Sequence, residues 1–190
     1  MTRTLPARPC LAAVLLGALL TLAGSACKRA PVETRFLNAD PESSSGAFLS
    51  GFSGFEKTDA GDTFVWAQSR EARVAVVAAG SRDRLVRLRA WPYRWDGAPP
   101  QRLTLYVNET RIDSVPMADG PRVYSFLTPA AAWHDGTNEI RFELAYAEAP
   151  RDRVPGATDA RTLAMALDWL EIVTSPGPSP SGRGGPGRSP

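Results

Sequence analysis

The single histidine of the chain, His134, limits the chemistry that its 190 residues can perform. A Ser-His-Asp relay would have to pass through it. It lies in Trp133-His134-Asp135-Gly136, where Asp-Gly marks a tight turn, and no Gly-x-Ser-x-Gly elbow accompanies it. An exposed turn histidine is the expectation. A carboxylate pair for glycoside hydrolysis could be drawn from Glu56, Asp59, Asp62 and Asp159. That reaction needs two carboxyls at a set separation across a cleft, whereas acids in loops are ordinarily solvated or cap turns. Cys10 and Cys27 are the only cysteines, so a Cys/His zinc cluster is not expected either. No catalytic residue, metal or cofactor is assigned.

Binding chemistry has more to draw on. Recognition of a sugar needs a flat apolar surface for the C–H faces of the ring and planar polar groups for its hydroxyls. Trp91, Tyr93 and Trp95, with Arg87 and Arg89, form one such collection, and Glu56, Trp66, Asp159 and Arg161 form another. Each has a structural alternative. The first set could pack the rim of a proline-bounded loop, and Asp159, Arg161 and Glu56 could staple the first loop to the last strand as a buried ion cluster.

Nucleic acid is not an expected partner. Of 22 basic and 20 acidic residues, Arg3, Arg8, Arg183 and Arg188 fall near the ends; 22 less those four leaves 18 basic against 20 acidic for residues 27–173. A near-neutral body lacks the basic footprint that phosphate backbones require.

The first 26 residues read as a targeting segment: Arg3 and Arg8 precede an apolar run, 11–23, that is short for a membrane span. Gly24, Ser25 and Ala26 then lead to Cys27. This resembles a bacterial lipoprotein signal, which implies lipidation at Cys27, export and anchoring at the cell envelope. A plain secretory signal cut near Ala26 is the alternative. Removal of Cys10 with the leader leaves no intramolecular disulfide, so stability has to come from the core. Residues 27–46, with Pro31, Pro41 and a serine run, are expected to be a flexible tether. Residues 174–190, rich in Pro, Gly and Ser, are expected to form a disordered tail.

The body, 47–173, reads as strands throughout. Leu103, Leu105 and Val107 alternate with Arg102, Thr104 and Tyr106; Ile140, Phe142 and Leu144 alternate with Glu139, Arg141 and Glu143. Such period-two segments, each with one wet face, require a second layer over the dry one. Further strands are predicted at Phe64–Trp66, 121–127, 72–78 and 84–91, the last two as a hairpin about a turn at 80–83. Arg161–Val173 is predicted as the closing strand, with Leu163, Met165 and Leu167 on one face and Ala164, Ala166, Leu170 and Ile172 mostly on the other, although Leu163, Ala166, Leu167 and Leu170 also fit helical spacing. Asn108-Glu109-Thr110 reads as a hairpin turn. The fold class is therefore all-β, an antiparallel β-sandwich.

Several short segments carry a resemblance: Gly51-Phe-Ser-Gly-Phe-Glu56 with Phe64-Val-Trp66, Leu103-Thr-Leu-Tyr-Val-Asn108, Gly136-Thr-Asn-Glu-Ile140 and Asp159-Ala-Arg-Thr-Leu163. Together they resemble galactose-binding-like jelly-roll domains, similar to carbohydrate-binding modules, of the kind that accompany bacterial sulfatase-like and glycosyltransferase-like envelope proteins. The resemblance implies a jelly roll of roughly eight to ten strands, a non-catalytic role and a glycan ligand, with the first loop and the last strand side by side. A structural or protein-interaction lipoprotein built on the same sandwich is the alternative. No oligomeric state follows from either.

Overall fold

The computed structural model describes residues 33–44 and 46–174, less the Ser43 side chain, so the predicted leader, Cys27 and the tail from 175 onward lie outside the described residues. In chain order the elements are β1 (Phe36–Asn38), a one-turn helix α1 (Pro41–Ser44), β2 (Phe48–Ser50), β3 (Phe52–Lys57), β4 (Thr63–Ala67), β5 (Glu71–Ala78) and β6 (Arg84–Pro92). Then come β7 (Arg102–Val107), β8 (Thr110–Pro116), β9 (Arg122–Thr128), a 3-10 turn at Ala130–Ala132, β10 (Gly136–Leu144), helix α2 (Pro150–Arg153) and β11 (Met165–Thr174).

They form two antiparallel sheets, one ordered β3-β4-β11-β6-β9 with β1 also paired to β11, the other ordered β2-β5-β10-β7-β8. The fold is thus an all-β, jelly-roll-like sandwich. Alternation builds its core: Ala72, Val74, Val76 and Ala78 on β5, Leu103, Leu105 and Val107 on β7, and Ile140, Phe142 and Leu144 on β10 all turn inward. From the first sheet, Val86, Leu88 and Ala90 of β6 meet them. The chain passes from the second sheet to the first at Gly51, whose φ is +79°. A Cβ there would press into the Glu71 carbonyl and lie 2.9 Å from Ala72 Cα, so only glycine fits this corner.

Four expectations need correction. First, β5 and β6 are not a hairpin: β5 pairs with β10 and β2, and β6 pairs with β11 and β9, so residues 79–83 cross between the sheets. Second, residues 34–39, assigned to the tether 27–46, lie on the folded body. Thr34 N–H donates to the Val77 carbonyl of one sheet, Ile172 N–H donates to the Arg35 carbonyl from the other, and Leu37 and Ala39 are buried. This strap is held because its backbone groups complete strand edges that would otherwise stand open. Third, the closing strand starts at Met165, not Arg161; Leu163 makes only an isolated bridge to Glu148. Fourth, a bulge between Leu167 and Trp169 shifts its phase. Met165 and Leu167 therefore share the core face with Leu170 and Ile172, where strict alternation would have opposed them. The Asn108–Glu109 turn does close a hairpin, joining β7 to β8.

Candidate functional site

The outer face of the six-stranded sheet, with the loops after β6 and before β11, collects both sets of sequence-predicted site residues. Inward placement of Val86, Leu88 and Ala90 turns Arg87, Arg89 and Trp91 outward. On β4, Trp66 lies opposite Ala166 of β11, and Ala166 lies opposite Trp91 of β6. The small side chain of Ala166 leaves the two indoles standing on either side of the central strand. Tyr93 follows directly after β6, its N–H donating to the Ala164 carbonyl at 3.0 Å.

These residues join into one run of rings. Trp91 and Phe64 have centroids 5.2 Å apart, Phe64 and Trp66 5.8 Å, Trp66 and Tyr93 6.2 Å, Tyr93 and Trp95 5.6 Å, and Trp95 and Tyr146 5.1 Å. The interplanar angles are steep at most contacts, 84° between Trp66 and Tyr93 for example, so the rings brace one another edge to face. Arg153 lies 5.3 Å over Trp95. The Tyr146 hydroxyl donates to the Tyr93 carbonyl at 2.7 Å, whereas the Tyr93 hydroxyl is buried with no hydrogen-bond partner. Desolvation first, and then the Asp159 carboxylate, raise the pKa of Tyr93. It stays a neutral phenol.

The second collection meets as its members were grouped, but not as a buried cluster. Arg161 Nη1 donates to Glu56 Oε1 at 2.5 Å and Nη2 to Asp159 Oδ2 at 2.8 Å, joining β3 to the loop before β11. The Arg161 side chain remains 43% exposed, and Glu56 and Asp159 about a third. The trio is a hydrated clamp at the margin of the ring run. Hydrogen bonds from Arg161 lower the pKa of Asp159.

Arg87 and Arg89 are also paired. Arg87 Nη1 donates to Glu171 Oε2 at 2.7 Å. Arg89 donates to Asp168, the residue at the β11 bulge, and to Asp62 at 3.4 Å. Burial raises the pKa of Asp168 against the opposing pull of Arg89.

Among residues that the sequence reading did not place in a site, Phe64 and Tyr146 extend the ring run, and Phe36 and Trp169 form a further pair on the same face. Their centroids are 5.9 Å apart with the planes tilted by 33°. Phe36 is 54% exposed. Both were obscured for definite reasons: Phe36 fell in the assigned tether, and Trp169 is brought to the outer face by the bulge. His134 is exposed, as expected, but it lies in an irregular segment and not a tight turn, since Gly136 already begins β10. Among the described residues no group of three or more His, Cys, Asp and Glu side chains is placed to hold a metal ion.

No family model matches the chain. No curated protein matches it either. Solved structures do. A family 35 carbohydrate-binding module from an environmental isolate aligns at 15% identity over 75% of this chain and 94% of the module, with a TM-score of 0.48. The corresponding figures for a native family 35 module from Clostridium thermocellum are 11%, 74%, 97% and 0.47. For the C-terminal CBM6 of the marine laminarinase LamC from Zobellia galactanivorans they are 11%, 73%, 98% and 0.46. At such distances no site residue is carried over from any of them.

Proposed function

We propose that the chain is a non-catalytic, exported lipoprotein whose sandwich binds glycan of the cell envelope or its surroundings through the outer face of the six-stranded sheet. The observation that carries this reading is the continuous ring run from Trp91 to Tyr146, bordered by the Arg161 clamp. Of these rings Phe64 and Tyr146 are buried supports, while Trp66, Trp91, Tyr93 and Trp95 are partly exposed and supply apolar surface for sugar C–H groups; the guanidinium and carboxylates of the clamp supply donors and acceptors for hydroxyls. Because the rings brace one another, the surface is preorganised and little ordering entropy opposes binding. Affinity electrophoresis against envelope and plant polysaccharides tests it. Retardation is expected, and a Trp91→Ala, Tyr93→Ala, Trp95→Ala variant that stays folded is expected to lose it; undiminished retardation of that variant would reject the assignment.

Anchoring at Cys27 belongs to the same proposal and rests on the sequence alone. Mass spectrometry of membrane-extracted protein is expected to find acyl chains on Cys27, and an unmodified soluble product refutes it.

The alternative, a structural or protein-interaction lipoprotein, draws support from one observation. Arg87, Arg89 and Arg161 are all engaged by carboxylates of the same chain, as a surface built for stability alone would have them.

A further inference from the structure

Phe36 and Trp169 lie on the same outer face as Trp91, displaced both along and across the strands. Register fixes the displacement. Trp91 stands opposite Ala166 on β11; Arg89, two residues earlier on β6, stands opposite Trp169, which pairs with Asn38; Arg87, two residues earlier again, stands opposite Glu171, which pairs with Phe36. From Trp91 to Phe36 is therefore four residues along the sheet and two strands across it, a diagonal of about 16 Å at ordinary strand spacings. Trp169 falls between the ends of that line. Arg87 lies 6.0 Å over the Trp169 ring, and the Arg89–Asp168 pair fills the interval toward Trp91.

The two ends differ in exposure. Trp91 is half-buried and packs 5.2 Å from the buried Phe64 with the planes at 56°, whereas Phe36 is 54% exposed beside Trp169, with the planes tilted by 33°. The exposed Phe36 ring offers an apolar surface to the face of a pyranose, and Trp169, half-buried with Arg87 over its ring, braces it. Both cations along the line are already engaged, two guanidiniums against three carboxylates: Arg87 with Glu171, and Arg89 with Asp168 and Asp62. A uronate or sulfate would have to displace one of these carboxylates to gain a cation. A hydroxyl can hydrogen-bond to such pairs and leave them intact.

We infer that this face holds an extended, neutral oligosaccharide along the diagonal from Trp91 across Trp169 to Phe36, and not a single terminal sugar. The inference rests on the glycan-binding reading above and adds to it length and charge. A line of about 16 Å accommodates about three to four linked pyranoses, so affinity is set by chain length up to that point.

Titration calorimetry with ladders of one to six units tests it, using neutral β-1,4- and β-1,3-glucans, β-1,4-mannan, α-1,6-glucan and oligogalacturonate. Affinity for a neutral ladder is expected to climb from the disaccharide to about the tetrasaccharide and then level off, with little dependence on salt. Phe36→Ala, a change at an exposed ring, is expected to weaken the tetrasaccharide about tenfold while leaving the disaccharide within about twofold. Equal affinity for mono- and tetrasaccharide, or an unaltered tetrasaccharide affinity in Phe36→Ala, overturns the extended site and leaves the glycan reading standing. Preference for oligogalacturonate overturns the neutral assignment. Absence of saturable binding to every ladder removes the glycan reading and this inference with it.

Discussion

Arg84 and Arg161 each tie together segments far apart in the chain, yet they do so in opposite surroundings. Arg84 begins β6 on the core side and has no solvent exposure. Its Nη2 donates to Glu33 Oε1 at 2.9 Å and to the Ala79 and Gly80 carbonyls at 3.0 and 3.2 Å; Nη1 donates to the Arg82 carbonyl at 3.2 Å. The guanidinium sits 4.9 Å over the Trp133 ring, and its Nε has no partner. Arg161 has the shorter ion pairs and two carboxylates to Arg84's one, but water reaches all three groups, whereas in the Arg84 pair it reaches only the Glu33 carboxylate. Dielectric surroundings, more than the number of partners, set what each arginine contributes.

The sharpest way to break this comparison is Arg84→Ala. The change opens a cavity, strips donors from three carbonyls of the 79–83 crossing, and leaves the Glu33 carboxylate, 23% exposed, without its cation. A loss of about 3 to 5 kcal/mol is expected, the range for disrupting a buried pair, read as a fall in the denaturant midpoint. A loss below about 1 kcal/mol would mean that water enters the site and that the two arginines are alike. Acid titration sharpens the same test. The Arg84 hydrogen bond holds Glu33 below its ordinary value of 4.5. A lowered folded-state value gives stability that is full above the unfolded value and lost as pH falls through the folded one. Asp168 has the opposite sign: burial raises its value, so its ionised form carries a penalty that is relieved as pH falls through the folded value. Arg84→Ala is expected to flatten the Glu33 part of the acid limb while the Asp168 part persists.

Arg84 also shows how much was legible in the sequence. Alternation along Val86, Leu88 and Ala90 places Arg84 on the core face by the same period of two, so a buried arginine could have been foreseen from the phase alone. What alternation does not encode is partner choice. β5 and β6 both carry one apolar face and flank a turn-forming Gly-Ser, and local pattern cannot distinguish a hairpin from a crossing between sheets whose strands are equally dry on one side. Likewise, the inserted residue at Asp168 is invisible to a periodicity count and reverses the faces of everything after it. Of the candidate site, the outward phase of Arg87, Arg89 and Trp91 was readable. The continuity of Trp66 with Trp91 was not, since it depends on β11 lying between β4 and β6.

The smaller expected effect lies at Arg161. A buried staple would make Arg161→Ala as costly as the Arg84 change, and that was one reading of Glu56, Asp159 and Arg161 from sequence. With the guanidinium 43% exposed and its carboxylates about a third exposed, both ends of each pair stay hydrated when the partner is removed. Lost Coulomb attraction is then weak and screened, and the side-chain entropy released on truncation offsets part of it. A cost of about 1 kcal/mol or less is expected, equivalent to a shift in melting temperature of a few degrees at low salt for a domain of this size. The shift should shrink as ionic strength rises, because surface pairs are screened while the Arg84 site is not. A loss for Arg161→Ala that matches Arg84→Ala and does not respond to salt would show that exposure at the ends of the side chains conceals a desolvated pair. The clamp would then belong with the core, and the ring run would lose the hydrated polar border that its role in glycan binding requires.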